Sequence, residues 1–119
     1  MAQQILLKRL KGKLRIAHLF EKGKVYHSQN ILLKILENNH DDALYAAVSV
    51  SKRNFIRAVD RNRIKRQLRE ALRLSSQGIP MKGSAMLIFK GKTLPQTAIL
   101  IEEVNALLQG LNGNATTGV

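Results

Sequence analysis

Residues 58–73 read AVDRNRIKRQLREALR. Five arginines and one lysine stand against two acids, yet the apolar residues keep helical spacing. With Ile64 at zero and about 100° per residue, Leu68, Ala71 and Leu72 fall within about 80° of it, which defines a buried stripe. Arg61, Lys65 and Arg69 run along one flank at i, i+4, i+8. Asn62, Arg66 and Arg73 lie on the far side, and Arg63 and Glu70 on the other flank. Like charges at this spacing destabilise a helix by a few tenths of a kcal/mol per pair. A solvated face usually mixes signs. Local stability therefore does not explain the pattern, whereas phosphate binding does. Each Lys or Arg that meets a phosphate releases condensed counterions, and Arg can grip it with two donors. Asn62 adds a short amide able to reach a base edge, a phosphate oxygen or a metal-bound water.

The whole chain agrees with that reading. Its 119 residues suffice for one domain, 45% are hydrophobic, and the formal net charge is +12. Self-repulsion of this size opposes compaction and asks for a polyanionic partner, nucleic acid before an acidic membrane surface. The absence of Cys excludes disulfides, thiolate zinc sites and thiol nucleophiles, and fits a reducing cytoplasm. The opening MAQQILLKRLKGKLR holds too short an apolar run for a secretory leader, and no stretch is long enough to span a membrane.

Working outward from the basic helix, predicted over 57–74, the preceding run ALYAAVSVS (43–51) is a strand. Ala46, Val48 and Val50 share a core face, and the small residues Ala47, Ser49 and Ser51 share the other. A face of small residues is either shallow solvent surface or a trough for a ligand. ILLKIL (31–36) is a second strand, placing Leu32, Lys34 and Leu36 to one side. The polar cluster ENNHDD (37–42) suggests that the two form an antiparallel hairpin. Val25–Tyr26 is a shorter strand candidate. Residues 13–22 form a helix with Ile16, Leu19 and Phe20 on one face, stopped at Gly23. Beyond the loop at 75–80, SAMLIFK (84–90) reads as a buried strand. Residues 96–109 read as a last helix, with Ala98, Ile101, Val104, Ala106 and Leu108 near helical spacing. Residues 1–110 are expected to form the domain and 111–119 a disordered polar tail.

The segment VSVSKRNFIRAVDRNRIKRQLREALRL (48–74) strongly resembles the signature of the bacterial ribonuclease P protein subunit. Ser51–Lys52, Ala58–Val59, Arg61–Asn62–Arg63, Lys65–Arg66 and Arg69–Glu70 match a strand ending Ser-Lys and a helix Ala-Val-x-Arg-Asn-Arg-x-Lys-Arg-x-x-Arg-Glu. The flanks agree in order, including Leu19–Lys24. The resemblance implies a single compact α/β (two-layer α+β) domain ordered αβββαβα. Its mixed sheet would carry a left-handed βαβ crossover through the basic helix, like the second domain of a small-subunit ribosomal protein. General handedness rules would not have given that crossover.

The resemblance also implies the job: a catalytic RNA removes the 5′ leader of precursor tRNA by magnesium-dependent hydrolysis while the protein binds beside it. Carried over by position, Arg61, Asn62, Arg63, Lys65, Arg66, Arg69 and Arg73 would meet the catalytic RNA. Phe20, Lys34, Ala47, Ser49, Ser51, Lys52 and Arg53 would line the cleft for the single-stranded leader. Magnesium would be held mainly by RNA, and the protein would act as a cytoplasmic monomer in a 1:1 complex with it. No catalytic residue and no protein metal site are expected. His18, His27 and His40 lack ligand spacing, Asp41–Asp42 reads as a turn, and Glu102–Glu103 point apart. Ile16 and Lys34 stand where members often carry aromatics, and Lys90-Gly91-Lys92-Thr93 replaces a usual basic-Pro pair. Ile16 and Lys34 predict weaker stacking on the leader and stronger salt-sensitive contact. A ribosomal-type RNA binder and a protein-only nuclease are the alternatives; the latter needs clustered carboxylates.

Overall fold

A computed structural model of the chain describes residues 6–38, 40–75 and 82–110. Within them the order is β1 (Leu6–Arg9), α1 (Lys13–Lys22), β2 (Lys24–His27), β3 (Ile31–Glu37), β4 (Ala43–Val50), α2 (Ala58–Ser75), β5 (Gly83–Phe89) and α3 (Thr97–Gly110). The expected αβββαβα series is present, preceded by one further strand. The tail 111–119, expected to be disordered, and most of the 75–80 loop lie outside the described residues. No described helix is long and apolar enough to cross a membrane.

The five strands form one mixed sheet in the order β1-β4-β5-β3-β2. β4 pairs in parallel with β1 and with β5, α2 forming the crossover to β5, while β3 is antiparallel to both β5 and β2. The hairpin expected between β3 and β4 is therefore corrected. β5 lies between them, and the tight antiparallel hairpin is β2–β3. The reason is visible in β5, whose residues Gly83–Leu87 and Phe89 are all buried. A strand apolar on both faces is most stable in the middle of a sheet, covered on both sides. The 37–42 connection is long enough to step over it.

The sheet separates two apolar layers. On one face Leu44, Ala46, Val50, Leu33, Ile35, Leu87 and Phe89 meet α2 and α3 in the main core. On the other, Leu10, Leu19 and Met86 form a smaller cluster under α1, flanked by Ile16, Leu36, Tyr45, Ala47 and Ile88. The buried stripe of α3 is Leu100, Val104, Leu107 and Leu108; Ala98 and Ala106, expected on it, are exposed. Spacing i, i+4, i+7, i+8 places the larger side chains inward. Glu103 does not simply point to solvent either. Its carboxylate accepts the Ser28 hydroxyl, the Asn30 backbone N–H at 2.7 Å and the Asn30 side-chain amide at 3.3 Å. It thereby ties α3 to the β2–β3 turn. Gln67, buried in α2, donates to the Pro95 carbonyl at 3.1 Å and the Thr97 hydroxyl at 2.8 Å, fastening the start of α3.

Gly83 opens β5 at φ 139°, where an added Cβ would sit 2.1 Å from the Leu36 carbonyl oxygen and 2.8 Å from the Asn38 nitrogen. Gly83→Ala is expected to lower unfolding stability by about 2 kcal/mol or more in urea titration. A loss below about 0.5 kcal/mol, typical of neutral surface sites, would contradict this close approach.

Candidate nucleic-acid interface

The buried stripe read from the sequence is the one α2 uses: Ile64, Leu68 and Ala71 are 0% exposed and Leu72 4%. That packing fixes the helix rotation and turns Asn62, Arg63, Arg66, Arg69 and Arg73 to solvent, with Lys65 half-buried at the margin. Few acids neutralise this surface. Arg73 pairs with Glu70 at 2.5 Å, a contact that lowers the Glu70 carboxyl and raises the guanidinium. Asp60 lies 3.9 Å from Arg57 in the first turn. Among the described residues, Arg63, Lys65, Arg66 and Arg69 have neither a carboxylate nor a hydrogen-bond partner. Arg61 differs from its neighbours. Its Nη1 donates to the Phe55 carbonyl at 2.8 Å and the Ile56 carbonyl at 2.6 Å, bracing the turn that leads into the helix. Only its remaining donors are left for a phosphate.

The predicted trough lies on the opposite face of the sheet. Residues in register share a face, so Ala47, Met86, Lys34 and Val25 form one row across four strands, and Ser49, Ile88, Leu32 and His27 form the next. α1 crosses the first rows, where Leu19 is fully buried. The Ser49–Ile88–Leu32 row is only partly covered. Phe20, 42% exposed, stands beside the trough with the Lys34 ammonium 4.5 Å from its ring centroid. The same ammonium donates to the Phe20 carbonyl at 3.1 Å, so Lys34 occupies one face of the ring.

At the end of β4 the chain turns tightly: the Arg53 N–H donates to the Ser51 hydroxyl and the Phe55 N–H to the Ser51 carbonyl, both at 3.2 Å. The Asn54 amide reaches the Gly91 carbonyl at 3.3 Å, pinning this turn to the segment after β5. Lys52 and Arg53 are thus exposed at the end of the trough. Phe20, Lys34, Ala47, Ser49, Ser51, Lys52 and Arg53 share one face and its rim, while the α2 cations lie behind the sheet. The 51–57 turn joins the two surfaces. Leu32 and Ile88 belong to the trough floor and were not among the expected cleft residues; alternation put Leu32 on the side of Lys34, and strand register adds Ile88. Lys90, whose ammonium is 3.3 Å from His27 Nδ1, adds a cation there.

One flank of α1 is locked by charge. Arg15 pairs with Asp41 at 2.7 Å, donates to the Ser84 hydroxyl at 3.0 Å and lies 4.1 Å over the Tyr45 ring. Asp41 and Asp42 are thus turn residues with structural partners. Asp42 receives Lys8 at 2.8 Å and the Tyr45 hydroxyl at 2.7 Å. The Lys8 and Tyr45 hydrogen bonds hold its carboxyl at about 2, below the ordinary 3.8. A depressed folded-state value means this contribution is complete above pH 3.8 and is lost as pH falls toward about 2. Thermal unfolding of Asp42→Asn should therefore depend less on pH across that interval than that of the parent chain. Superimposable profiles would contradict the lock. Among the described residues no group of three or more His, Asp or Glu is gathered to hold a metal ion.

Comparison with known proteins adds the following. Residues 7–112 match the family described as Ribonuclease P. A curated relative, the ribonuclease P protein component of Idiomarina loihiensis, is 42% identical over 64 residues, 54% of this chain and 51% of the relative, so the match spans about half of that protein's length. Among solved structures, a Staphylococcus aureus RNase P protein mutant with defective mRNA degradation activity superposes with TM-score 0.77 at 22% identity, covering 87% of each chain. The Thermotoga maritima RNase P protein superposes with TM-score 0.75 at 21% identity, covering 86% of this chain and 96% of that one.

Proposed function

The chain belongs to the Ribonuclease P family, and from that premise we propose that it is the protein subunit of a bacterial ribonuclease P. In this reading it binds the catalytic RNA through α2 and the single-stranded 5′ leader of precursor tRNA through the trough. The partner RNA carries out the endonucleolytic hydrolysis that leaves the mature tRNA 5′ end. The observation that carries the proposal is the division of surfaces. Unpaired cations of α2 lie on one side of the sheet, and a partly open, cation-rimmed trough lies on the other. A protein so built can hold two RNA segments at once without either displacing the other.

The residues act by placement. Arg63, Lys65, Arg66 and Arg69 offer phosphate contacts to the catalytic RNA, with Asn62, Arg73 and the free donors of Arg61 beside them. The small side chains of Ala47 and Ser49 admit an extended strand, Phe20 offers one ring face to a base, and Lys34, Lys52 and Arg53 meet its phosphates. No protein residue is assigned a bond-breaking role. Magnesium is assigned to RNA phosphates and water, with no protein ligand.

The test is binding of precursor and mature tRNA by the reconstituted complex. The precursor should bind about tenfold or more tighter, and only when the protein is present, in keeping with one or two stacked and phosphate-paired nucleotides. Equal affinities would refute the leader role of the trough. Because Lys34 covers one face of Phe20, Lys34→Ala is expected to weaken leader-dependent affinity and flatten its salt slope by about one phosphate contact. An unchanged affinity and slope would rule out the electrostatic substitution for stacking.

A further inference from the structure

A cavity of about 360 Å³ opens at the sheet edge, where β1 ends and α2 passes above β4. Its apolar lining on the α2 side of the sheet includes Leu7, Ala46, Val48 and Leu72, and three cationic residues line it as well, Lys8 and Arg9 from β1 and Arg69 from α2. Arg9 is paired in register with Ala46, so its side chain projects on the α2 side of the sheet. Strand pairing on that edge stops at Arg9 and Ala46, with a last backbone bond from Leu10 N–H to the Ala46 carbonyl at 2.9 Å. Beyond it β4 has no strand partner on this edge among the described residues.

Two of the three cations that line this cavity are unpaired. Lys8, Arg15 and Arg73 each have a carboxylate within 2.8 Å. Among the described residues, Arg9 and Arg69 have no carboxylate and no hydrogen-bond acceptor. Two unpaired arginines lining one small space repel each other less when an anion lies between them. The apolar lining, in turn, gains nothing from a bare anion and needs flat, poorly hydrated surface against it. The volume is at the lower end of the range for small-molecule sites.

We propose that this cavity takes a single unstacked nucleotide of the RNA partner, its base against Leu7, Val48 and Leu72 and its phosphate between Arg9 and Arg69. The proposal rests on RNA being the partner of α2, and it adds Arg9 and β1 to the interface. It converts an otherwise sequence-blind phosphate contact into one that also holds a base.

Methyl-labelled protein titrated with adenosine 5′-monophosphate, and separately with inorganic phosphate, tests it. The mononucleotide should shift the Leu7, Val48 and Leu72 methyl signals and bind about fivefold or more tighter than phosphate. Arg9→Gln, an exposed edge position, should weaken the mononucleotide about fivefold, and Arg69→Gln on the other element should do the same. Phosphate and mononucleotide binding equally, or shifts unaffected by both substitutions, would overturn the proposal. If those titrations fail while the chain still binds ribonuclease P RNA, the cavity is lost and the proposed function stands. If they succeed while the chain fails to bind that RNA, the cavity stands and the proposed partner is lost.

Discussion

Replacing Lys65, Arg66 and Arg69 together by Ala should weaken binding to ribonuclease P RNA by about 100-fold near 0.15 M salt and flatten the salt slope by up to about three phosphate contacts. The fold should survive, because none of the three belongs to the stripe of Ile64, Leu68, Ala71 and Leu72 that holds α2 to the sheet. Removing like charges also relieves a small repulsion within the helix. Arg61 is left out of the set deliberately: its bonds to the Phe55 and Ile56 carbonyls would make a loss of affinity ambiguous between phosphate contact and turn geometry. Filter binding across a salt series, with far-ultraviolet circular dichroism as the fold control, reads the result. An unaltered slope would remove α2 as the contact surface.

The largest stability loss is expected at Phe89→Ala, about 3–5 kcal/mol, a large share of the roughly 5–15 kcal/mol that holds a domain together. Phe89 is 1% exposed, and its ring centroid lies 6.0 Å from that of Phe55. Gly91 packs against it so closely that a Cβ there would meet the ring at 2.7 Å. Phe55 carries the 51–57 turn, so the vacancy should also loosen Lys52 and Arg53 and reduce leader-dependent binding. Denaturant unfolding measures the first effect. A loss under about 1.5 kcal/mol would mean that the core closes over the missing ring.

Where an element buries one face, its spacing announced it. Helices at 13–22 and 57–74 and strands at 31–36, 43–51 and 84–90 were legible within a residue or two, and so was the division of β4 into a core face and a small-residue face. β1 was not, because an edge strand of four residues, LLKR, places Leu7 and Arg9 on the same face and shows no alternation. Its partner lies some 37 residues away by register, Leu6 against Ala43, and nothing local encodes that. The β3–β4 hairpin followed from proximity in sequence, yet burial of β5 on both faces outweighed it. The α2 cations were the clearest functional signal, since their spacing needs no tertiary knowledge. The trough was half legible. Ala47, Ser49 and Ser51 could be read from one strand, but Leu32 and Ile88 join them only through register across β3 and β5. Arg61 as a turn brace and Glu103 as a turn cap depend on carbonyls and amides that no side-chain pattern displays.

The central claim is that this protein supplies cations and a cleft while an RNA breaks the bond. Its most direct test is precursor-tRNA cleavage by bacterial ribonuclease P RNA at low magnesium, with the RNA alone, the chain alone, and both. Leader removal should be fast only with both present and absent with the chain alone. Equal rates with and without the chain, or cleavage by the chain in the absence of RNA, would contradict the account.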